Sequence, residues 1–92
     1  MTMLGRRRVR AKAVPRRLVD QAFDLYLAWR QESASVQAAY EHWRDAEAEE
    51  RATRHAVYAA ALDREERAGC AYAETIARAM EIVERGRVAS IA

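Results

Sequence analysis

Apolar side chains recur every three or four residues along two long stretches of the chain. The first stretch contains Leu18, Ala22, Leu25, Trp29, Val36, Tyr40 and Trp43. At about 100° per residue these positions share a sector roughly 60° wide, and the polar segment 33–35 does not reset the phase. The pattern predicts one helix over about 16–44. Pro15 suits the first turn of a helix, which places the start near Pro15 or Arg16.

A second stripe predicts a second helix over about 46–85. It consists of Tyr58, Leu62, Gly69, Tyr72, Ile76, Met80 and Val83. Gly86 follows it as a plausible C-terminal cap. Gly69 has two interpretations: it marks either a close crossing of helices or a weak point where the second helix is broken.

The segment Asp45 to Arg54 decides whether these helices form one rod or a hairpin. Its sequence, D-A-E-A-E-E-R-A-T-R, has no Gly or Pro, which favours a continuous rod. A rod, however, would bring Glu47 and Arg54 inward in the phase of the stripes, whereas a reversal near Asp45 leaves them in solvent. Asp45 could then cap the second helix. We therefore expect a hairpin.

The predicted fold is an all-α antiparallel helical hairpin that resembles a coiled coil. A reversal near Asp45 pairs residues whose numbers sum to about 91. The expected neighbours are Trp29 with Leu62, Ser33 with Tyr58, Val36 with His55 and Ala22 with Gly69. The end of the second helix, with Ile76, Met80 and Val83, then extends past the first helix. We expect this end to be covered either by the basic arm or by a helical bundle, formed by oligomerisation or with a partner.

Charge divides the chain into an arm and a body. Residues 1–17 hold seven basic side chains and no acid, whereas the rest has nine basic and 14 acidic residues. We expect residues 1–14 to form a flexible basic arm, residues 15–86 the hairpin and residues 87–92 a C-terminal tail. No apolar run approaches the ~20 residues of a membrane span, so no membrane partner is expected. The single cysteine, Cys70, fits a reducing cytoplasm.

Two functions from different classes follow from these features. The first is a non-enzymatic protein–protein interaction or scaffolding module, a homodimer or a unit docked on a helical partner. Its candidate interaction surface is Ile76, Met80, Val83, Phe23 and Leu27. The second is a nucleic-acid-associated factor whose arm contacts phosphates of RNA, the ribosome or DNA. Its candidate contacts are Arg6, Arg7, Arg8, Arg10, Lys12, Arg16 and Arg17.

No residue pattern indicates catalysis or a cofactor, and we expect neither. His42 and His55 do not have the spacing that puts two metal ligands on one helical face. A third hypothesis is a di-metal carboxylate bundle that uses Glu65 with Glu41 or Glu66. We favour instead a structural role, in which the Glu65 side chain reaches the solvent-exposed rim or pairs with an Arg. Cys70 is expected to be a packing thiol, and the aromatic residues fit a core better than a base-stacking platform.

Three segments carry a resemblance to a group of bacterial proteins. They are Y-L-A-W-R at 26–30, A-Y-E-H-W at 39–43 and A-A-L-D-R-E-E-R-A at 60–68. Over roughly residues 23–75 the chain resembles small α-helical proteins of high-GC actinobacteria. The resemblance implies a bacterial cytoplasmic protein and carries no activity with it.

Overall fold

Two long helices form an antiparallel hairpin in the computed structural model, which describes residues 13–91. Helix α1 spans Arg16–Arg44, a 3-10 turn spans Ala48–Glu50, and helix α2 spans Arg51–Ile91. The hairpin measures 74 × 19 × 13 Å, so it is a narrow rod with the helices side by side. The predicted all-α antiparallel hairpin is confirmed.

Helix α1 begins and ends where the apolar pattern predicts. The carbonyl oxygen of Pro15 accepts hydrogen bonds from the amides of Leu18 at 3.0 Å and Val19 at 3.2 Å. Proline has no amide hydrogen to satisfy and its ring fixes φ near the helical value, which suits this position. The helix continues through 33–35 without a break to Arg44.

The chain reverses a few residues later than predicted. The amide of Asp45 still donates to the carbonyl of Glu41 at 3.0 Å, so Asp45 closes α1. Its carboxylate accepts a hydrogen bond from Arg44 at 3.1 Å and caps no helix, so the expected capping role is wrong. The new helical turn starts at Ala48, preceded by Glu47 in an extended conformation.

The later reversal changes which residues face each other. Trp29 stacks on Tyr72, with ring centroids 5.7 Å apart, and Trp43 stacks on Tyr58 at 5.4 Å. Gly69 lies beside Trp29. Facing numbers therefore sum to about 98–101, and the predicted pairs of Trp29 with Leu62, Ser33 with Tyr58, Val36 with His55 and Ala22 with Gly69 are wrong. The prediction that Ile76, Met80 and Val83 extend past the first helix is also wrong, because the shift brings all three level with α1, where Ile76 is half-buried.

Helix α2 is continuous through Gly69 and passes Gly86 to end at Ile91. The predicted end near Arg85 is therefore wrong, and residues 87–91 of the expected tail are helical. Within residues 13–91 no glycine has a positive φ, so Gly86 does not form the left-handed cap that would stop a helix. The Glu84–Arg87 ion pair at 2.9 Å, three residues apart, joins the two sides of Gly86 and supports the helix there.

The buried positions follow a seven-residue repeat. Partly or fully buried residues recur at alternating spacings of three and four along both helices. On α1 they are Leu18, Ala22, Leu25, Trp29, Glu32, Val36, Ala39, Trp43 and, just past its end, Ala46; on α2 they are Arg54, Tyr58, Ala61, Glu65, Ala68, Tyr72, Thr75, Ala79, Ile82 and Gly86. This spacing keeps one stripe of each helix turned toward the other along the whole rod. We call these stripes the first seam.

The first seam provides only a thin core. Among the described residues, only Ala39, Ala61 and Thr75 are fully buried, and two of these are alanines. The Thr75 hydroxyl donates to the carbonyl of Ala71 at 3.1 Å and accepts from Arg78 at 3.2 Å, so its polar group is satisfied. Because two helices bury little apolar surface, most large side chains of this chain keep one side in solvent.

Candidate functional site

Two similar aromatic clusters hold the helices together. In one, Tyr26 and Trp29 of α1 pack on Tyr72 of α2, with all ring centroids within 6.3 Å. The other joins Tyr40 and Trp43 to Tyr58, with centroids within 6.1 Å. The stacked Trp–Tyr pairs fix the register, because such large flat rings have few alternative ways to pack.

Each residue of one cluster lies 14 positions from its counterpart in the other. The tyrosines at 26 and 40, the tryptophans at 29 and 43, and the tyrosines at 58 and 72 all obey this spacing. Fourteen residues are two heptads, so the same side of each helix returns to the same interface. This relation was not predicted, although the repeated Y-x-x-W pattern at residues 26–29 and 40–43 is a visible signal for it.

The two clusters differ at one position. A Cβ added to Gly69 would lie 3.1 Å from Nε1 of Trp29, so the indole approaches the backbone of α2 closely. Fourteen residues earlier stands His55, whose ring packs edge-on against Trp43 at 4.8 Å. Of the two interpretations of Gly69, the close crossing of helices is therefore confirmed.

A second row of positions lies beside the first seam on each helix, and we call these two rows the second seam. It has the same alternating spacing of four and three. On α1 it contains Val19, Phe23, Tyr26, Arg30, Ser33, Gln37 and Tyr40; on α2 it contains His55, Ala59, Leu62, Glu66, Gly69, Ala73, Ile76, Met80 and Val83. In an antiparallel pair with these heptads the two rows fall on the same side of the rod.

The second seam concentrates the exposed apolar surface. Eleven large apolar side chains are exposed in residues 13–91, and seven of them belong to this seam. The most exposed of the seven are Phe23, at 60%, and Met80, at 62%. Scattered apolar residues on a surface are ordinary, but a continuous apolar patch on one side typically marks an interaction site.

An open groove runs along the second seam toward the free ends of the helices. It has a volume of about 390 Å³ and is lined by Val19, Ala22, Phe23, Tyr26 and Tyr72. All five side chains are apolar or aromatic. The groove could therefore accept an apolar side chain from another helix but offers no cluster of polar groups for catalysis.

The opposite side of the rod is polar. Arg64 of α2 donates to the carboxylate of Glu32 of α1 at 3.0 Å, the one ion pair between the helices in the described part of the chain. Arg78 lies on the same side and bonds to Thr75. An exposed ion pair adds little stability, so this side is better described as solvated than as a second interface.

The helical register places the five predicted interaction residues unequally. Phe23, Met80 and Val83 are exposed on the second seam, and Ile76 lies in the same seam but is half-buried. Leu27 is 50% exposed, yet its heptad position points directly away from the first seam, on the back of α1. Leu27 therefore does not share a surface with the other four.

Most of the predicted phosphate-binding residues lie outside the described part of the chain. These are Arg6, Arg7, Arg8, Arg10 and Lys12, which belong to the segment 1–12. Arg16 and Arg17 are exposed in the first turn of α1, which contains no acidic residue. Two cations at the positive end of the helix dipole are unfavourable for the helix itself.

The remaining candidate residues are Glu65, Cys70 and the possible metal ligands. No group of three or more His, Cys, Asp and Glu side chains placed to hold a metal occurs between residues 13 and 91. Glu65 is half-buried in the first seam near its midpoint. Cys70 is exposed on α2, so the expectation of a packing thiol is wrong.

Asp45 and Arg44 alter each other's proton affinity at the hairpin tip. The hydrogen bond from Arg44, together with its charge, lowers the pKa of Asp45 below its ordinary value. The same hydrogen bond and the charge of Asp45 raise the pKa of Arg44. Both side chains are exposed at the hairpin tip, so the shifts reflect one surface ion pair rather than a catalytic environment.

Comparison with protein-family models, with curated proteins and with solved structures finds no match to this chain. No helix within residues 13–91 combines the length and apolar character needed to cross a bilayer.

Proposed function

We propose that this protein is a non-enzymatic interaction or scaffolding module that docks on a helical protein surface through its second seam. The observation that carries the proposal is the position of the exposed apolar side chains, most of which share one side of the rod. The proposal places the protein in the bacterial cytoplasm, where a reduced Cys70 is stable.

The thin core supports this function. A hairpin whose fully buried side chains, within the described residues, are two alanines and a threonine gains little from its own packing. Helices laid against Phe23, Tyr26 and Met80 would bury the apolar surface that the hairpin leaves in water, at roughly 25 cal/mol per Å². Docking and stability are then linked, because a partner that binds only the folded hairpin also stabilises it.

Site-specific photo-crosslinking in the native host tests the proposal. A photoreactive phenylalanine replaces either Phe23, on the second seam, or Leu27, on the back of the same helix. We expect a defined crosslinked species, identified by mass spectrometry, from position 23 but not from position 27. The species should disappear in a Met80→Glu background, which disrupts the same surface. Equal crosslinking from both positions, or none from 23, would contradict the proposal.

A second candidate function is a nucleic-acid-associated factor, favoured by Arg16 and Arg17. These residues remain exposed at a helix end where they oppose the helix dipole, which fits side chains retained to contact phosphates. Binding through several such contacts should weaken about 10³-fold or more between 50 and 200 mM salt. Removal of residues 1–14 combined with Arg16→Ala and Arg17→Ala should abolish binding; unchanged affinity would refute this function.

A further inference from the structure

We infer that the partner on the second seam is a second copy of this chain, and that two hairpins lie side by side with their tips at the same end. This arrangement is a four-helix bundle with the two-fold axis along the rod, in which α1 of each copy packs on α2 of the other. The inference rests on the proposed docking function and names its partner.

The first argument is that the second seam is itself a heptad stripe. Its positions alternate by three and four residues along both helices, in step with the first seam. Helices in a four-helix bundle need two such stripes, since each helix has two neighbours. A second copy has the same seven-residue period, so the two surfaces stay matched over many turns.

The second argument concerns the residues that this arrangement sets opposite each other. Residues at the same height on α1 and α2 have numbers that sum to about 100, and a two-fold axis along the rod preserves height. The layers between copies are then Val19 with Met80, Phe23 with Ile76, Tyr26 with Ala73, Arg30 with Gly69, Ser33 with Glu66, Gln37 with Leu62 and Tyr40 with Ala59. Four of these seven layers set a large side chain against a small one, and the first two layers are apolar on both sides, as close packing between helices favours.

The charges within the seam agree with the same geometry. Arg30 lies one helical turn from the layer that contains Glu66 of the second copy, so opposite charges meet in the polar middle of the interface. With the copies antiparallel about the middle of the rod, Arg30 would face its own symmetry mate. This contact between like charges disfavours that alternative.

The size of the surface is also sufficient. The α2 row of the second seam runs from His55 to Val83, about 42 Å at 1.5 Å per residue. With the 19 Å width of the hairpin, this surface is close to the roughly 800 Å² that each partner buries in a standard interface. Full overlap of two parallel rods uses this whole length. An overlap of the free ends alone would leave Tyr40 and Leu62, which are both exposed in the single hairpin, in solvent.

Sedimentation velocity over a micromolar to submillimolar range tests the second copy. We expect the wild-type protein to sediment as twice its 10.5 kDa chain mass. Phe23→Glu should weaken association at least ~100-fold, because two buried rings are lost and two carboxylates are desolvated. Leu27→Glu, the matched control, should leave it within about threefold. A wild-type monomer throughout the range, or equal effects of the two substitutions, overturns the inference.

Circular dichroism keeps the test decisive if a variant unfolds. Helix lost in Phe23→Glu and regained at higher protein concentration supports the inference, because folding is then coupled to association. If the helix of Phe23→Glu is not regained, Met80→Glu, in the adjacent layer, is measured instead. A Met80→Glu variant that keeps its helix but associates more weakly than the wild type supports the inference, and one that associates as tightly overturns it.

The distance between tips tests the orientation. A spin label at Ala48→Cys in a Cys70→Ser background should give a tip-to-tip distance comparable to the 19 Å width of the hairpin. Copies that are antiparallel about Arg30 would place the two labels about 50 Å apart, since each lies 18 residues from the centre at 1.5 Å per residue; such a distance overturns the arrangement. If the wild type is monomeric while the photoreactive group at Phe23 still captures another protein, the inference fails and the proposed docking function stands.

Discussion

Replacing Gly69 by alanine tests the contact that sets the register of the hairpin. Alanine is favoured over glycine by about 1 kcal/mol in the interior of a helix. Here the added Cβ would lie 3.1 Å from Nε1 of Trp29 and 3.5 Å from two carbons of the same indole. The ring must move by a few tenths of an ångström, which costs part of the gain. We expect Gly69→Ala to change the free energy of unfolding by less than ~0.5 kcal/mol.

A double-mutant cycle separates the two effects. Trp29→Phe removes the nitrogen nearest to the new Cβ, and in that background Gly69→Ala should gain about 1 kcal/mol. Urea denaturation followed by circular dichroism, at one protein concentration, measures all four proteins. Gly86→Ala, beyond the start of α1, is the control and should not depend on residue 29. An equal gain from Gly69→Ala in both backgrounds would show that Trp29 does not pack on Gly69 and would refute the register.

Three further outcomes are expected. Thr75→Val keeps the shape of the most buried polar side chain but loses its two hydrogen bonds, so we expect a loss of roughly 0.5–1.5 kcal/mol by the same denaturation assay; a stabilised variant would contradict this. Asp45 should titrate below its ordinary pKa by NMR and return toward it in Arg44→Ala; its contribution to stability is present above its unfolded pKa and is lost as pH falls through the lowered value. Cys70 is exposed and should react with a thiol reagent as fast in the folded as in the unfolded protein, whereas slow labelling would show burial.

The extent of α1 could be predicted because its apolar stripe has one phase from Leu18 to Trp43 and a proline at its start. The segment 33–35 keeps that phase, and a serine inside a long helix costs too little to break it. The prediction and the structure therefore agree on Arg16–Arg44.

The register could not be predicted from the same stripes. The numbers of facing residues sum to 91 in the prediction and to 98 for Trp29 and Gly69 in the structure, a difference of seven. A shift of one heptad turns the same face of each helix toward the other. The apolar pattern is therefore nearly blind to this shift, and the position of the reversal decides it. The amide of Asp45 donates to the carbonyl of Glu41 in α1, so the chain turns only at Glu47 and Ala48. The helix and turn propensities of these residues did not indicate that position.

The second seam was only partly visible in the sequence. On α1 it appeared as an unusually wide apolar arc, in which Phe23 and Leu27 could not be separated. On α2 the predicted stripe mixed residues of both seams, such as Tyr72 with Met80. The structure separates them, because most partly buried positions lie in the first seam and most of the exposed large apolar residues lie in the second.

Footprinting of the native assembly tests the central claim, that one side of the rod is a docking surface, most directly. Tagged protein isolated gently from its host is labelled with a reactive carbene and compared with the purified Phe23→Glu variant. We predict that Met80 and Tyr26 are labelled less in the assembly than in the variant. Leu27 and Val57 lie off the second seam, are each 50% exposed in the single hairpin, and should be labelled to the same extent in both samples. Equal labelling of Met80 and Leu27 in the assembly would contradict the account.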